Sequence, residues 1–509
     1  MGYRLRPMQG SRFAFGSFVF DSGAGTLVRD DAPVAAGYRG LKLLAALVEK
    51  PGEILGKAVL MDAAWPGTAV EEGNLTVQIA QLRKLLGSAP DGGEWIVTVP
   101  RIGYRFTGAV EELGREQRKP LPLPGKPSIA VLPFVNVSND PEQESFADGL
   151  TEDLITDLSR ISGLFVIARN SAFAYKGKAM DVRGIAQDLG VRYLLEGSAR
   201  RAAGRVRINA QLVDAVSGDH LWAERFDRSL DDIFAVQDEV TGKIMEALLG
   251  RLRTPSPRNP PRNLEAYDLC LRARRLMDDS PQTAQEAHLM LTRATLLDPD
   301  YAEPYRWLAM NHWMGWVHSG GPTETSRSVA LELARKAVAL DPNDAGCRWV
   351  LAYLLAYDRS FAESDTQFAK AIDLDPNEAD IWAVLSDISV LAGRVEEGLE
   401  QIRKAFRLNP FPPSWYYLTL GQAQYAAGDY EAAIETLRRD ETYRTSSRRF
   451  LAASLAQLGR LDEARAEVEL FLVGNPHFTI RHWARTEPFR DAATLEHFVD
   501  GCRKAGLPE

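Results

Sequence analysis

Four short runs in the C-terminal half leave that half little choice of fold. Leu-Asp-Pro recurs at 297–299, 340–342 and 374–376, and Leu-Asn-Pro follows at 408–410. The last two intervals are 34 residues and the first is 43. Proline has no N–H to give a helix and its ring clashes with the preceding turn, so each run should end a helix. A unit of this length cannot bury a core alone; repeated at a fixed period, it stacks against its neighbours.

A 34-residue period closed by proline resembles the tetratricopeptide (TPR) repeat, a pair of antiparallel helices packed closely through small residues. Trp382, Leu385, Ser386, Gly398, Ala405 and Pro410 fall on the motif positions, and Tyr417, Leu420, Gly421 and Ala433 repeat them. Weaker units at 264–299 and 447–476 bring the expectation to about six repeats, with a cap near Ala484–Cys502. The nine extra residues near 315–326 should lengthen one connection between helices. The resemblance implies a superhelix whose concave groove takes a protein or peptide partner. Trp307, Trp313, Trp316 and Trp382 read as repeat packing, and His312 and His318 lie near one another without further metal ligands.

At the other end, Asn74–Leu86 (NLTVQIAQLRKLL) is followed by Trp95–Phe106 (WIVTVPRIGYRF). On a 3.6-residue period Leu75, Ile79, Leu82 and Leu86 form one apolar stripe. Thr76, Val77, Ala80, Gln81 and Lys84 lie opposite, with Arg83 at the edge. Tyr38–Lys50 and Leu55–Trp65 supply two shorter amphipathic segments, split by Pro51-Gly52. Residues 11–107 resemble the OmpR/PhoB-type winged-helix effector domain, and the VPRIGYRF ending is similar to the ToxR/CadC/HilA branch. The resemblance implies an antiparallel sheet ahead of the helices, for which Phe13–Val28 offers two strands. It implies a third helix in the major groove, a wing centred on Arg101, and a loop, Pro66–Gly73, able to touch RNA polymerase. Asn74, Thr76, Val77, Gln81, Arg83, Lys84, Arg101 and Arg105 are the expected DNA contacts. Thr76, Val77, Gln81 and Lys84 should meet bases or groove; Asn74, Arg83, Arg101 and Arg105 should meet phosphates or build the wing, and Arg105, beside Tyr104, could instead brace the hairpin. Residues 11–110 hold ten basic and ten acidic side chains. Neutralised phosphates supply most non-specific affinity, so one such domain should bind weakly and depend on dimers or tandem sites. The receiver domain usual in the family is missing.

Between these regions, Ser128–Phe134 and Leu164–Ala168 read as strands. Ala147–Ile161, Asp181–Leu189 and Leu230–Leu249 read as helices. Arg205–Val213 alternates cleanly, Val206, Ile208, Ala210 and Leu212 against Arg205, Arg207, Asn209 and Gln211. Tyr193–Arg200 and His220–Phe226 flank it. SIAVLPFVNVSNDPEQESFADGLTEDLITDLSR, YLLEGSARR and HLWAERFDRSLDDIFAVQDEV resemble the TolB-N-terminal/FlgO-like domain, which accompanies TPR repeats in bacterial regulators and some adenylate cyclases. Its candidate polar constellation is Asp148, Arg169, Ser171, Glu196 and Arg200.

The expected architecture is multidomain, α/β plus all-α. A winged helix-turn-helix (11–110) is followed by a linker (111–127), an α/β mixed-sheet domain (128–252), a proline-rich linker (253–263) and a TPR α-solenoid with its cap (264–509). A chain 45% hydrophobic and 25% charged is of globular type. A net charge of −9 argues against a nucleic-acid coat protein. Three separated cysteines, Cys270, Cys347 and Cys502, fit a reducing compartment. No run approaches the roughly 18 apolar residues of a membrane span, and the N-terminus lacks a signal-peptide core, so the expected location is the cytoplasm. No P-loop, GxSxG, HExxH or CxxC motif stands in the chain, and nothing resembles a cyclase domain. These features point to a non-enzymatic transcription regulator without cofactor, whose partners are double-stranded DNA and a protein or peptide, and which could form a homo-oligomer. The competing readings are a TPR scaffold whose winged helix does not bind DNA, or a regulatory component of a cyclic-nucleotide pathway.

Overall fold

The computed structural model describes residues 12–22, 26–29, 32–34, 38–64, 72–89, 92–100, 102–112, 121–138, 143–178, 181–202, 205–229, 233–249, 261–277, 281–317, 323–439 and 447–509. The chain divides into two compact units, 1–119 and 120–509.

The first unit opens with an antiparallel meander: β1 (Arg12–Phe15), β2 (Phe18–Asp21), β3 (Thr26–Arg29) and β4 (Ala32–Val34). Phe13, Phe15, Phe18 and Phe20 alternate inward, and Gly16, at φ 56°, supplies the left-handed residue of the first hairpin. Next come α1 (Tyr38–Val48), β5 (Ile54–Gly56), α2 (Lys57–Ala64) and α3 (Glu72–Leu86). The hairpin β6 (Ile96–Val99) and β7 (Gly103–Phe106) pairs with β5 in the order β5-β7-β6. Trp95 joins the two sheets: its ring lies 5.3 Å from Phe15 and 5.8 Å from Phe106. The meander has four strands where the sequence suggested two. It also gains a fifth, β8 (Glu111–Glu112), which pairs with β1. Residues 111 and 112, expected to begin a linker, therefore belong to this sheet. Their carboxylates hide the signal, because a short edge strand needs only backbone pairing and tolerates charge.

The second unit starts with β9 (Ser128–Val131), β10 (Val135–Asn136), α4 (Glu144–Ser159), β11 (Phe165–Val166), α5 (Arg169–Phe173) and α6 (Val182–Leu189). It continues through β12 (Tyr193–Ala202), β13 (Arg205–Asp214), β14 (His220–Ser229) and α7 (Ile233–Leu249). The sheet runs β11-β9-β12-β13-β14, with β10 also parallel to β12. Its β11, β9 and β12 are parallel and its long β12, β13 and β14 antiparallel, the mixed sheet expected. Val206, Ile208, Ala210, Leu212 and Phe226 meet Phe146, Leu150, Leu154 and Leu158 of α4 and Val236, Val240 and Ile244 of α7.

Six helix pairs follow: α8 (Leu264–Leu276) with α9 (Pro281–Leu297), α10 (Ala302–Val317) with α11 (Thr323–Leu340), α12 (Ala345–Tyr357) with α13 (Phe361–Leu374). Then come α14 (Ala379–Leu391) with α15 (Val395–Leu408), α16 (Ser414–Ala426) with α17 (Tyr430–Leu437), and α18 (Arg448–Gln457) with α19 (Leu461–Gly474). The short α20 (Ile480–Thr486) and α21 (Ala492–Ala505) cap the stack. The recurrent Asp or Asn has a physical job. Asp298 accepts from the N–H groups of Arg262 and Asn263, and Asp375 from those of Asn377 and Glu378. Asp375 thus satisfies amides of its own helix-to-helix turn and Asp298 those at the start of α8, and Asp298, Asp341, Asp375 and Asn409 are all buried. The nine-residue surplus lies mostly in helix: α10 and α11 run 16 and 18 residues against 13 and 14 in the next pair.

The mixed-sheet region and the repeats share a core. Leu132, Phe165, Ile167, Ile185 and Leu189 pack against Ala379, Ala383, Ile402, Leu408 and Tyr416. Ala168 N–H donates to the Leu408 carbonyl at 2.8 Å, and Asn377 Nδ2 donates to the carbonyls of Ser159 and Leu164 at 2.6 and 3.1 Å. Among the described residues no helix is long and apolar enough to cross a membrane.

Candidate nucleic-acid interface

Helix α3 folds with the expected polarity. Leu75, Ile79, Leu82 and Leu86 are buried, while Asn74, Thr76, Val77, Ala80, Gln81 and Lys84 are exposed. Val77 is 54% exposed, an apolar group held in water beside polar neighbours. Lys84 has no ion-pair partner among the described residues. Beside this face stands the β6–β7 hairpin, whose tip, Pro100–Ile102, is closed by Ile102 N–H donating to the Val99 carbonyl at 3.1 Å. Arg101, expected at the centre of the wing, lies outside the described residues, as do 66–71 of the loop Pro66–Gly73; Gly73 itself is in the first turn of α3. Ile102, which sequence reasoning passed over, is 55% exposed at the same tip.

Two of the expected contacts are built into the domain. Arg83 Nε donates to the Ile96 carbonyl and Nη2 to the Thr98 hydroxyl, both at 2.8 Å. Its Nε also lies 3.4 Å from Glu94. The guanidinium ties α3 to β6 and fixes how the wing stands beside the helix. Arg105 is half-buried on β7, opposite Ile54 and Val97, and its Nε is buried with no hydrogen-bond partner among the described residues. The helical period marks Arg83 as an edge position, but its partners lie on a strand more than ten residues away.

The polar constellation suggested for the middle region does not converge on a pocket. Asp148 pairs with Lys176 and, at 2.7 Å, with Arg275; Arg169 pairs with Glu152. Ser171 donates to Asn409 at 2.6 Å and accepts from the Phe411 N–H, Glu196 is bound by Gln211, and Arg200 stands exposed across from Arg207. Asp148, Glu152 and Ser171 instead fasten this region to the repeats.

Part of that fastening reaches the first helices of the repeats. Glu152 of α4 meets Arg274 of α8 at 2.9 Å, and Arg274 reaches Glu303 of α10 at 3.1 Å. Burial alone would lower the Arg274 pKa, yet Glu152 and Glu303 outweigh it and hold it above the ordinary arginine value. Burial likewise opposes ionisation of Glu303, but Arg274 and Arg306 bring its carboxyl down to about 2. Farther along, Asp387 of α14 accepts from Gln422 at 2.8 Å and Tyr353 at 3.3 Å. Nearby, Tyr357 donates to Glu487 of the cap at 3.0 Å, and Arg449 approaches Glu487 at 3.5 Å. Burial, and then the Glu487 charge, push the Asp387 carboxyl up to about 7.

Asp387→Asn tests this site. The folded state holds the Asp387 proton more tightly than the unfolded chain, whose carboxyl titrates near 3.9. The contribution of this group is therefore intact below about pH 4 and lost as pH rises to about 7. The asparagine variant should gain on the wild type by a few kcal/mol between pH 4 and 8 in urea unfolding. A difference that does not change with pH would remove the assignment.

Residues 31–106 match the family described as transcriptional regulatory protein, C terminal, and residues 125–243 the HilA/YgeH-like transcriptional regulator, second domain. A putative adenylate cyclase 3 of Rhizobium meliloti is 49% identical over 252 residues, 48% of this chain and 43% of that protein. The chain thus spans less than half of that relative's length. The transcriptional regulator HilA of Salmonella typhimurium is 24% identical over 79% of this chain and 72% of its own. Among solved structures, the DNA-binding domain of E. coli CadC shares 25% identity, covering 20% of this chain and 96% of that one at a TM-score of 0.19. Among the described residues no group of His, Cys, Asp and Glu is placed to hold a metal ion. The chain carries an OmpR/PhoB-type transcriptional-regulator C-terminal domain followed by a HilA/YgeH-like second domain and stacked helix pairs of the TPR type.

Proposed function

We propose that this chain is a cytoplasmic one-component transcription regulator, with no catalytic activity of its own, that binds promoter DNA through α3 and the wing. The observation that carries the reading is the outer face of α3. Asn74, Thr76, Val77, Gln81 and Lys84 stand exposed together, backed by a buried stripe and flanked by a hairpin that Arg83 locks in place. Gln81 suits an adenine edge, Val77 a thymine methyl and Lys84 a guanine or a phosphate. Asn74 and Arg101 suit phosphates, Arg105 the wing, and Pro66–Gly73 a touch to RNA polymerase. Arg83 acts as a positioning residue. The cyclase named among the relatives extends well beyond the shared part, so its activity does not transfer.

Anisotropy titration of the full chain against its own upstream region and a scrambled duplex, over a salt series, tests the reading. Gln81→Ala with Lys84→Ala should bring binding of the two duplexes together, since each base contact contributes about 1–3 kcal/mol of discrimination. Arg101→Ala should weaken both duplexes alike and reduce the salt slope by about one. A wild type with equal affinity for the two duplexes at every salt concentration would overturn it.

The repeats and the middle domain supply control. A protein partner for the first-helix face would have to displace α4 or the cap, so sensing through that face would be competitive.

A further inference from the structure

The outward half of the β12–β13–β14 sheet, beyond the part covered by α6 and the repeats, is open. Val206, Ile208, Ala210, Leu212 and Phe226 point to the core, so Arg205, Arg207 and Asn209 of β13 and Arg225 and Asp227 of β14 share the opposite face with Ser198 and Arg200 of β12. The register sets Arg200 directly across from Arg207, and Arg225 across from Asn209. Like charges opposite one another weaken a sheet, so folding alone gives no reason for this pattern.

Asp227 answers only part of it. Its two oxygens each take one guanidinium through Nε and Nη2, Arg205 at 3.1 and 2.8 Å and Arg207 at 3.1 and 2.7 Å. This arrangement holds the two side chains abreast and leaves the Nη1 of each outside the pair. Glu196 is taken by Gln211. Among the described residues Arg200 and Arg225 have no carboxylate partner. A patch of four arginines against two carboxylates thus stands on a chain of net charge −9. Among the described residues no aromatic ring stands on it. That removes the stacking platform single-stranded nucleic acid needs and the aromatic anchors usual at the centre of a protein interface. What fits is a surface of repeating anionic oxygens.

We propose that this sheet face is a second DNA contact, which grips phosphates of the duplex without reading bases; it rests on the regulator reading above. The need for it follows from the winged-helix segment, whose ten basic and ten acidic side chains leave little net field for phosphates.

The test is the salt dependence of DNA binding by full-length protein carrying Arg200→Gln and Arg225→Gln. Two lost phosphate contacts should lower the slope of log K against log salt by about 1.8 and weaken promoter and scrambled duplexes equally. Arg200→Lys with Arg225→Lys should retain the slope. Thermal unfolding of both variants should match the wild type, Arg200 and Arg225 being exposed. An unchanged slope in the glutamine variant, with the wild type still binding its promoter specifically, would overturn this proposal alone. A loss confined to the promoter duplex would also overturn it, because the contact would then be reading sequence. A wild type that binds no duplex at any salt would bring down the regulator reading as well.

Discussion

Glu152→Ala should destabilise the second unit by about 3–5 kcal/mol, the cost of leaving a buried charge without its partner. Arg274 is held between Glu152 and Glu303, and Glu303 is already shared with Arg306. Removing Glu152 leaves Arg274 with Glu303 alone, a carboxylate it shares with Arg306, while Arg306 keeps Asp344 at 3.6 Å as well. Arg169, the third partner, is one-third exposed and can turn to solvent, so the loss should fall mainly on Arg274. Urea unfolding of the full chain followed by circular dichroism would measure it. Glu152→Met with Arg274→Met should recover most of the stability, because a matched apolar pair carries no unpaired charge. A loss below about 1 kcal/mol would mean that water reaches the site and screens the pair as at a surface.

Gly103→Val should dismantle the wing and with it DNA binding. Gly103 lies opposite Gly56 where β7 crosses β5, and a Cβ there would stand 1.9 Å from the Leu55 carbonyl oxygen. No rotamer relieves a contact between a Cβ and backbone, so the two strands must part. The domain should lose about 2–4 kcal/mol, in the range of severe backbone and packing damage. Hydrogen exchange on the full chain would report loss of protection at 54–56 and 103–106. Promoter affinity should fall to the level of the scrambled duplex. Retained protection and affinity would show that the backbone can shift at small cost. The same substitution at Gly52, where nothing lies within 4 Å of an added Cβ but φ is +81°, should cost only local strain.

Local patterns carried much of this structure. The stripe Leu75, Ile79, Leu82 and Leu86 placed the buried side of α3, and the Leu-Asp-Pro runs placed the ends of the repeat helices, because both signals come from residues within a turn or two of each other. Alternation in 205–213 placed β13 and its two faces. Less legible were pairings between distant residues. Ser159 with Asp375, and Asn377 with the carbonyls of Ser159 and Leu164, join positions more than 200 residues apart. A serine, an aspartate and an asparagine look the same in sequence whether they cap a helix or dock a domain. For the same reason the sequence left Arg83 open between phosphates and the wing, and its Nε and Nη2 bind the strand beside it. Charge balance pointed to weak binding by one domain, and the arginines of β12, β13 and β14 came together on one face only through the strand register.

First helices of the repeats are met by the chain itself, α8 by α4 and α12 by the Glu487 segment. An outside ligand for those helices would meet only the fraction of molecules in which α4 or that segment has lifted away, and its apparent affinity would drop by that fraction. Occupancy would then report on an internal equilibrium as much as on ligand concentration. The speed of a response would be set by how fast the internal occupant leaves, so Glu152 and Asp387 would act as timing elements.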